Sequence, residues 1–221
     1  MDDAFRDFIG EVKPIRMKEP LAETLGAFTS GGTILTYTFA DAVKMAGHAC
    51  PTVAGAYLAC QMSLDRLYPG ETPVRGEISI TVYGQPDEGV YGVIAQVFSF
   101  IAGAAPATGF RGLGPKFKRK DLLKFSPQKP DPKAQGFEFK RLDNGKSVLV
   151  KFYPQQIPMA EEKAKRMGEL LEKVIWEAAR EEEKREFQEI WAGRVKDMLL
   201  EQKGIEGWLK IEERREANER S

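Results

Sequence analysis

One histidine and two cysteines are the whole stock of imidazole and thiol in this chain of 221 residues. Two cysteines cannot build the disulfide framework of a small secreted protein, and both fall within one expected helical region. Long apolar runs are missing too: nothing approaches the roughly 18 to 20 residues that a membrane-spanning helix needs. No secretory signal is expected, because Met1-Asp2-Asp3 opens acidic and no apolar stretch follows. Net charge is also absent. Lys and Arg balance Asp and Glu at 33 each, so the chain as a whole has no field to draw nucleic acid or an anionic membrane. The expectation is a reduced, cytoplasmic, globular protein with neither nucleic acid nor membrane as a partner.

Periodicity and punctuation supply the elements. Ala4, Phe5, Phe8, Ile9 and Val12 recur at helical spacing over residues 4–12. Gly31-Gly32 breaks the chain before a short β-prone run, residues 33–37. Thr38 with Asp41 three residues on predicts a capped helix over 39–46, ended by Gly47. Pro51 suits the first turn of the next helix, which makes Cys50 its N-cap residue. Along that helix Val53, Tyr57, Cys60, Leu64 and Leu67 form one apolar stripe, closed by Pro69-Gly70. Strict alternation predicts a half-buried strand over 74–83, followed by a turn at 84–89 and an apolar helix over 90–102. A small-residue stretch, 103–114, leads to a basic strand over 117–125, a proline-bearing loop at 126–136 and a hairpin over 137–153 around Asp143-Asn144-Gly145. From Pro158 the character changes. Residues 160–221 are charge-dense and helical in pattern, and they hold all three tryptophans, Trp176, Trp191 and Trp208. Two regions follow: a core over 1–157, and a charged helical extension over 158–221 that packs on the core or joins two copies of the chain.

The chemistry concentrates in Gly47-His48-Ala49-Cys50-Pro51. Imidazole and thiolate are the side chains that bind transition metals best near neutral pH, and here they stand two positions apart. The free amides at a helix N-terminus and the positive end of its dipole favour an anion such as a thiolate at Cys50. Two ligands do not hold an ion strongly. A third must come from Asp87, Glu88, Cys60, water or a second copy of the chain, and open positions would make the site reactive. Another reading is a metal-independent thiol enzyme, with Cys50 as the nucleophile and His48 as its base. The plain alternative is a junction histidine beside a small buried cysteine. Cys60, on the apolar stripe, reads as a core residue. The run Thr108 to Gly114 offers close backbone approach through Gly109 and Gly112, without a phosphate-loop lysine. Lys116, Lys118, Arg119 and Lys120, with Phe110 and Phe117 nearby, read as protection of an edge strand.

The segment from Asp41 to Pro51, with Gly55-Ala56-Tyr57 after it, resembles the G-H-x-C-P…G-Y signature of the FmdE-like family, named for a component of formylmethanofuran dehydrogenase. The similarity extends over about residues 35–155. It implies an α+β core with a mixed or antiparallel sheet packed with helices, a homodimer, and a metal site at His48 and Cys50. It implies scaffold roles for Gly47, Pro51 and Tyr57 around that site. The cofactor-contact candidates are Tyr57, together with Gly109 and Gly112 of the glycine-rich stretch, which reads as a wall of the same pocket. Such proteins stand beside larger oxidoreductases of one-carbon metabolism or alone, and a docking role for the C-terminal helices is a further expectation. Members often carry more cysteines after the strand and in the glycine-rich turn, and many end in a cysteine-rich zinc module. This chain has Gln85-Pro86-Asp87-Glu88, Gly103-Ala104-Ala105 and charged helices instead. Zinc is the expected ion because it accepts mixed nitrogen and sulfur ligation without redox demands. Iron, including haem iron in an apolar pocket with one or two axial ligands, is the alternative.

Overall fold

The computed structural model describes residues 6–27 and 33–214. Ala4, Phe5, Gly31, Gly32 and residues 215–221, named above, lie outside them. The N-terminal helix ends sooner than its apolar spacing predicts: its described part, α1, is Arg6–Ile9, and Val12 lies outside it. Strand β1 (Ile15–Lys18) runs into α2 (Pro20–Thr24) and pairs antiparallel with β2 (Ile34–Tyr37). Helix α3 (Phe39–Ala46) starts as its sequence requires. The Thr38 side chain accepts from Asp41 N, and Asp41 accepts from Thr38 N in return. That reciprocal cap satisfies two amides that the helix itself cannot.

Helix α4 (Pro51–Leu67) is the axis of the molecule. The predicted stripe is buried, but so are Ala54, Gly55, Ala56, Leu58, Ala59 and Ser63 on the other faces. Small residues allow this. At Gly55 a side chain would collide with the Phe152 ring, so helix and sheet approach as closely as backbone permits. The sheet has five strands in the order β6-β3-β7-β8-β9: Leu123–Phe125, Ile78–Tyr83, Gln135–Arg141, Ser147–Phe152 and Leu209–Arg214. Strands β3 and β6 are parallel and every other neighbouring pair is antiparallel, which makes this a mixed sheet and an α+β fold. Alternation puts Ile78, Ile80, Val82, Phe137, Phe139, Val148 and Val150 into the core. Phe98 of α5 (Tyr91–Ala102) meets Phe137 and Phe139 edge-on, with ring centroids 5.0 and 4.9 Å away.

The basic run 117–125 is not one strand. Phe117–Lys118 (β5) closes a small hairpin with Gly112–Leu113 (β4), and Leu123–Phe125 joins the main sheet. Between them Arg119 turns inward and Asp121 takes a positive φ of 66°. Arg119 is 2% exposed and donates to Glu19 at 2.5 Å, while Arg75 donates to the other oxygen of Glu19 at 2.7 Å. Arg75 also donates to the carbonyls of Phe100 and Ile101, so the C-terminal end of α5 answers part of the excess positive charge. Side chains at Gly76 or Gly103 would overlap the Arg119 guanidinium, and both glycines have positive φ.

The C-terminal region is helical as far as α6 (Glu161–Ile175), α7 (Glu181–Lys196), a π-helical turn at Asp197–Glu201 and the short α8 (Ile205–Trp208). It then returns as β9, the strand beside β8, where helical continuation was expected. Trp208 is 1% exposed and stands edge-on to Phe152. Where α6 and α7 meet, Glu183 accepts from Lys173 Nζ and from Arg180 N, which together hold its carboxyl down to about 2 from an ordinary 4.5. A depressed folded value contributes stability above the unfolded value and loses it as pH falls through the folded one. Glu183→Gln is therefore expected to be less stable than the natural chain above pH 4.5, and the gap should close as pH falls toward 2. Denaturation midpoints measured across that range check this, and a gap constant down to pH 2 would contradict it.

Candidate functional site

Two helix ends make the junction. Gly47, in the left-handed region at φ 77°, returns its N–H to the Val43 carbonyl and stops α3. Cys50 is extended at φ −151° and ψ 167°, and it begins α4 as the N-cap, its Sγ accepting from Val53 N at 3.4 Å. Both features follow from local chemistry: glycine tolerates the left-handed turn, and Pro51 has no N–H to waste at the first helical position.

His48 is exposed, and its Nδ1 lies 3.0 Å from the Ala46 carbonyl oxygen. A carbonyl only accepts, so in the neutral ring Nδ1 carries the proton and Nε2 keeps its lone pair. A ring N–H donated to a backbone carbonyl is the usual support of a metal-bound imidazole. Cys50, by contrast, is 8% exposed, its sulfur turned onto the first turn of α4. The structure thus brings the two donors onto one five-residue junction, but into different surroundings. Among the described residues no group of three or more His, Cys, Asp and Glu gathers where it could hold a metal ion.

The other named candidates have other partners. Cys60 lies ten residues along α4 from Cys50, about 15 Å down the helix axis. It is fully buried, and burial pushes its thiol pKa up, which keeps it uncharged. Iodoacetamide at neutral pH is expected to leave Cys60 unmodified in the folded protein and to label it only on unfolding. Peptide mapping reads this, and rapid labelling of Cys60 in the native state would contradict it. Glu88 pairs with Lys129 and accepts from Gln85 N in the turn before α5, while Asp87 is exposed. The Tyr57 hydroxyl is shared between the carbonyls of Lys13 and Tyr37, at 3.0 and 2.9 Å, tying α4 to β2 and to the chain before β1. Gly109 closes a turn onto Pro106, and at Gly112 a side chain would strike the Phe117 carbonyl. Gly112 thus allows the close approach of β4 to β5, and Gly109 belongs to the turn before that hairpin.

Trp191 of α7 is a participant that the sequence did not connect with this junction. Its indole Nε1 donates to the Ala49 carbonyl at 2.8 Å, between the two candidate ligands, and its ring packs on Phe187. The C-terminal region thus holds the junction directly. Only the presence of a tryptophan in a charged helix hinted at this, since the two residues are 142 positions apart. Comparison with models of known protein families finds no match, and comparison with curated proteins finds none.

Proposed function

We propose that this is a cytoplasmic metal-binding protein of the FmdE-like kind, working as a homodimer, with His48 and Cys50 as the protein's ligands. The observation that supports it most is the hydrogen bond from the His48 ring to Ala46, which leaves Nε2 free, exposed and oriented. The donor set fits zinc in an open site: one borderline nitrogen and one soft sulfur, with the remaining positions left to water, substrate or a second chain. Bound there, zinc would act as a Lewis acid toward whatever occupies those positions. Ala46 and Trp191 supply the surroundings, the first orienting the imidazole and the second fixing the peptide between the ligands.

Elemental analysis of freshly purified protein tests the proposal. His48→Ala and Cys50→Ala should each abolish bound zinc while the apo protein stays folded, since His48 is exposed and Cys50→Ala removes one buried sulfur and one cap at the edge of a large core. Unchanged metal content in both variants would end it. An absorption spectrum with a Soret band would assign the site to haem iron instead.

A further inference from the structure

The balance of charge over the whole chain conceals a segregation. No acidic residue stands between Glu88 and Asp121, a stretch that contains Arg111, Lys116, Lys118, Arg119 and Lys120. Arg119 is engaged inside, on Glu19, and it fastens the base of the β4–β5 hairpin to the core. The hairpin is therefore held in place, its Arg111 carbonyl accepting from the N–H groups of Arg119 and Lys120. Outside, Phe110 is 61% and Leu113 52% exposed, with Arg111, Lys116 and Lys118 exposed around them. Among the described residues none of those three cations forms an ion pair.

The opposite character occurs at the turn between α6 and α7. Trp176 is 76% and Ile175 64% exposed, the largest exposures among the bulky apolar side chains described. Glu172 and Glu177 stand exposed beside them, with no ion pair among the described residues. Glu177 has a positive φ of 54°, marking a tight turn. Lys173 and Arg180 also stand at this turn, both held by Glu183, so that Glu172 and Glu177 are acids it leaves unpaired among the described residues. One surface is apolar with unpaired cations, the other apolar with unpaired acids, and each copy of the chain carries both.

We propose that two copies of this chain pair through these surfaces, the β4–β5 hairpin of one seated on the α6–α7 turn of the other. Repeated about a two-fold axis, the contact is made twice and closes as a dimer. Trp176 and Phe110 are its anchors, since exposed aromatics surrounded by charge are what interface centres are made of. Arg111, Lys116 and Lys118 face Glu172 and Glu177 of the second copy, and they set orientation and salt dependence. The inference supplies the surface for the homodimer of the proposed function and does not depend on the metal.

Light scattering on the full-length chain, over a range of concentrations and salt, is the test. The natural chain should be dimeric and should dissociate as salt rises. Trp176→Ala should weaken pairing at least about tenfold. The double variant Lys116→Glu/Lys118→Glu should be monomeric. Adding Glu172→Lys and Glu177→Lys to that same chain should restore the dimer, a rescue that a damaged fold could not give. A monomer at every concentration, a dimer indifferent to these changes, or growth beyond two copies would overturn the proposal. So would a monomer that sediments with anionic vesicles through Phe110, which would give the hairpin to a lipid surface. A dimer that behaves as described but binds no metal would support this contact while ending the metal reading.

Discussion

Glu19→Ala is expected to cost about 3–5 kcal/mol, a large share of the roughly 5–15 kcal/mol that holds a domain of ordinary stability together. Glu19 is 5% exposed and receives three donors: Arg75 Nη1 at 2.7 Å, Arg119 Nη2 at 2.5 Å and Leu21 N at 3.0 Å. Burial already pushes the Arg119 pKa below its ordinary value, with Glu19 pulling it back. Alanine would leave that guanidinium without its anion, in a place only 2% exposed, and would also remove the cap of α2. Arg75 is partly solvated and bonded to carbonyls at the end of α5, so it can tolerate the loss better. The double variant Glu19→Leu/Arg119→Met should be less damaged than Glu19→Ala alone, because no charge is then stranded at Arg119. Urea midpoints of the natural chain and the single and double variants decide this. A double variant that loses the sum of both single effects would show that the pair acts otherwise.

Removing residues 156–221 is expected to abolish cooperative folding, and Trp208→Ala alone should cost about 3–5 kcal/mol. Val195, Met198, Leu199, Trp208 and Leu209 belong to the same continuous core as α4, α5 and the sheet. Trp208 fills the space beside Phe152, and its Nε1–H donates to Lys203 O. Without β9, strand β8 would also become an open edge with unpaired amides and carbonyls. Near-UV circular dichroism and a denaturation curve of the shortened chain test the claim. A sharp, two-state transition there would show that the C-terminal region is dispensable to the core.

Local chemistry was legible in the sequence, and distant pairing was not. The Thr38–Asp41 cap, the Gly47 stop and the Cys50-Pro51 start each depend on residues within four positions, and the structure has all three. The apolar alternation of β3 and the turn at Asp143-Asn144-Gly145 are local in the same sense. Strand β9 was hidden because Lys210, Glu212 and Glu213 look like one more charged helix, and only pairing with β8 selects the extended form. The break at Arg119 depends on Glu19, 100 residues away. As for the candidate site, its residues could be named from the sequence, while their surroundings could not. That His48 is exposed with Nδ1 on Ala46 O, that Cys50 is nearly covered, and that Trp191 grips Ala49 are consequences of how α3, α4 and α7 meet.

The most direct test of the metal reading is to load the metal-free protein with cobalt(II), a spectroscopic substitute for zinc, and record its absorption. Joint ligation by sulfur and imidazole predicts a near-ultraviolet sulfur-to-cobalt charge-transfer band that disappears in Cys50→Ser. The visible bands should in turn weaken or shift in His48→Ala. A spectrum of hexaaqua cobalt in the natural protein, or one identical in all three, would contradict it.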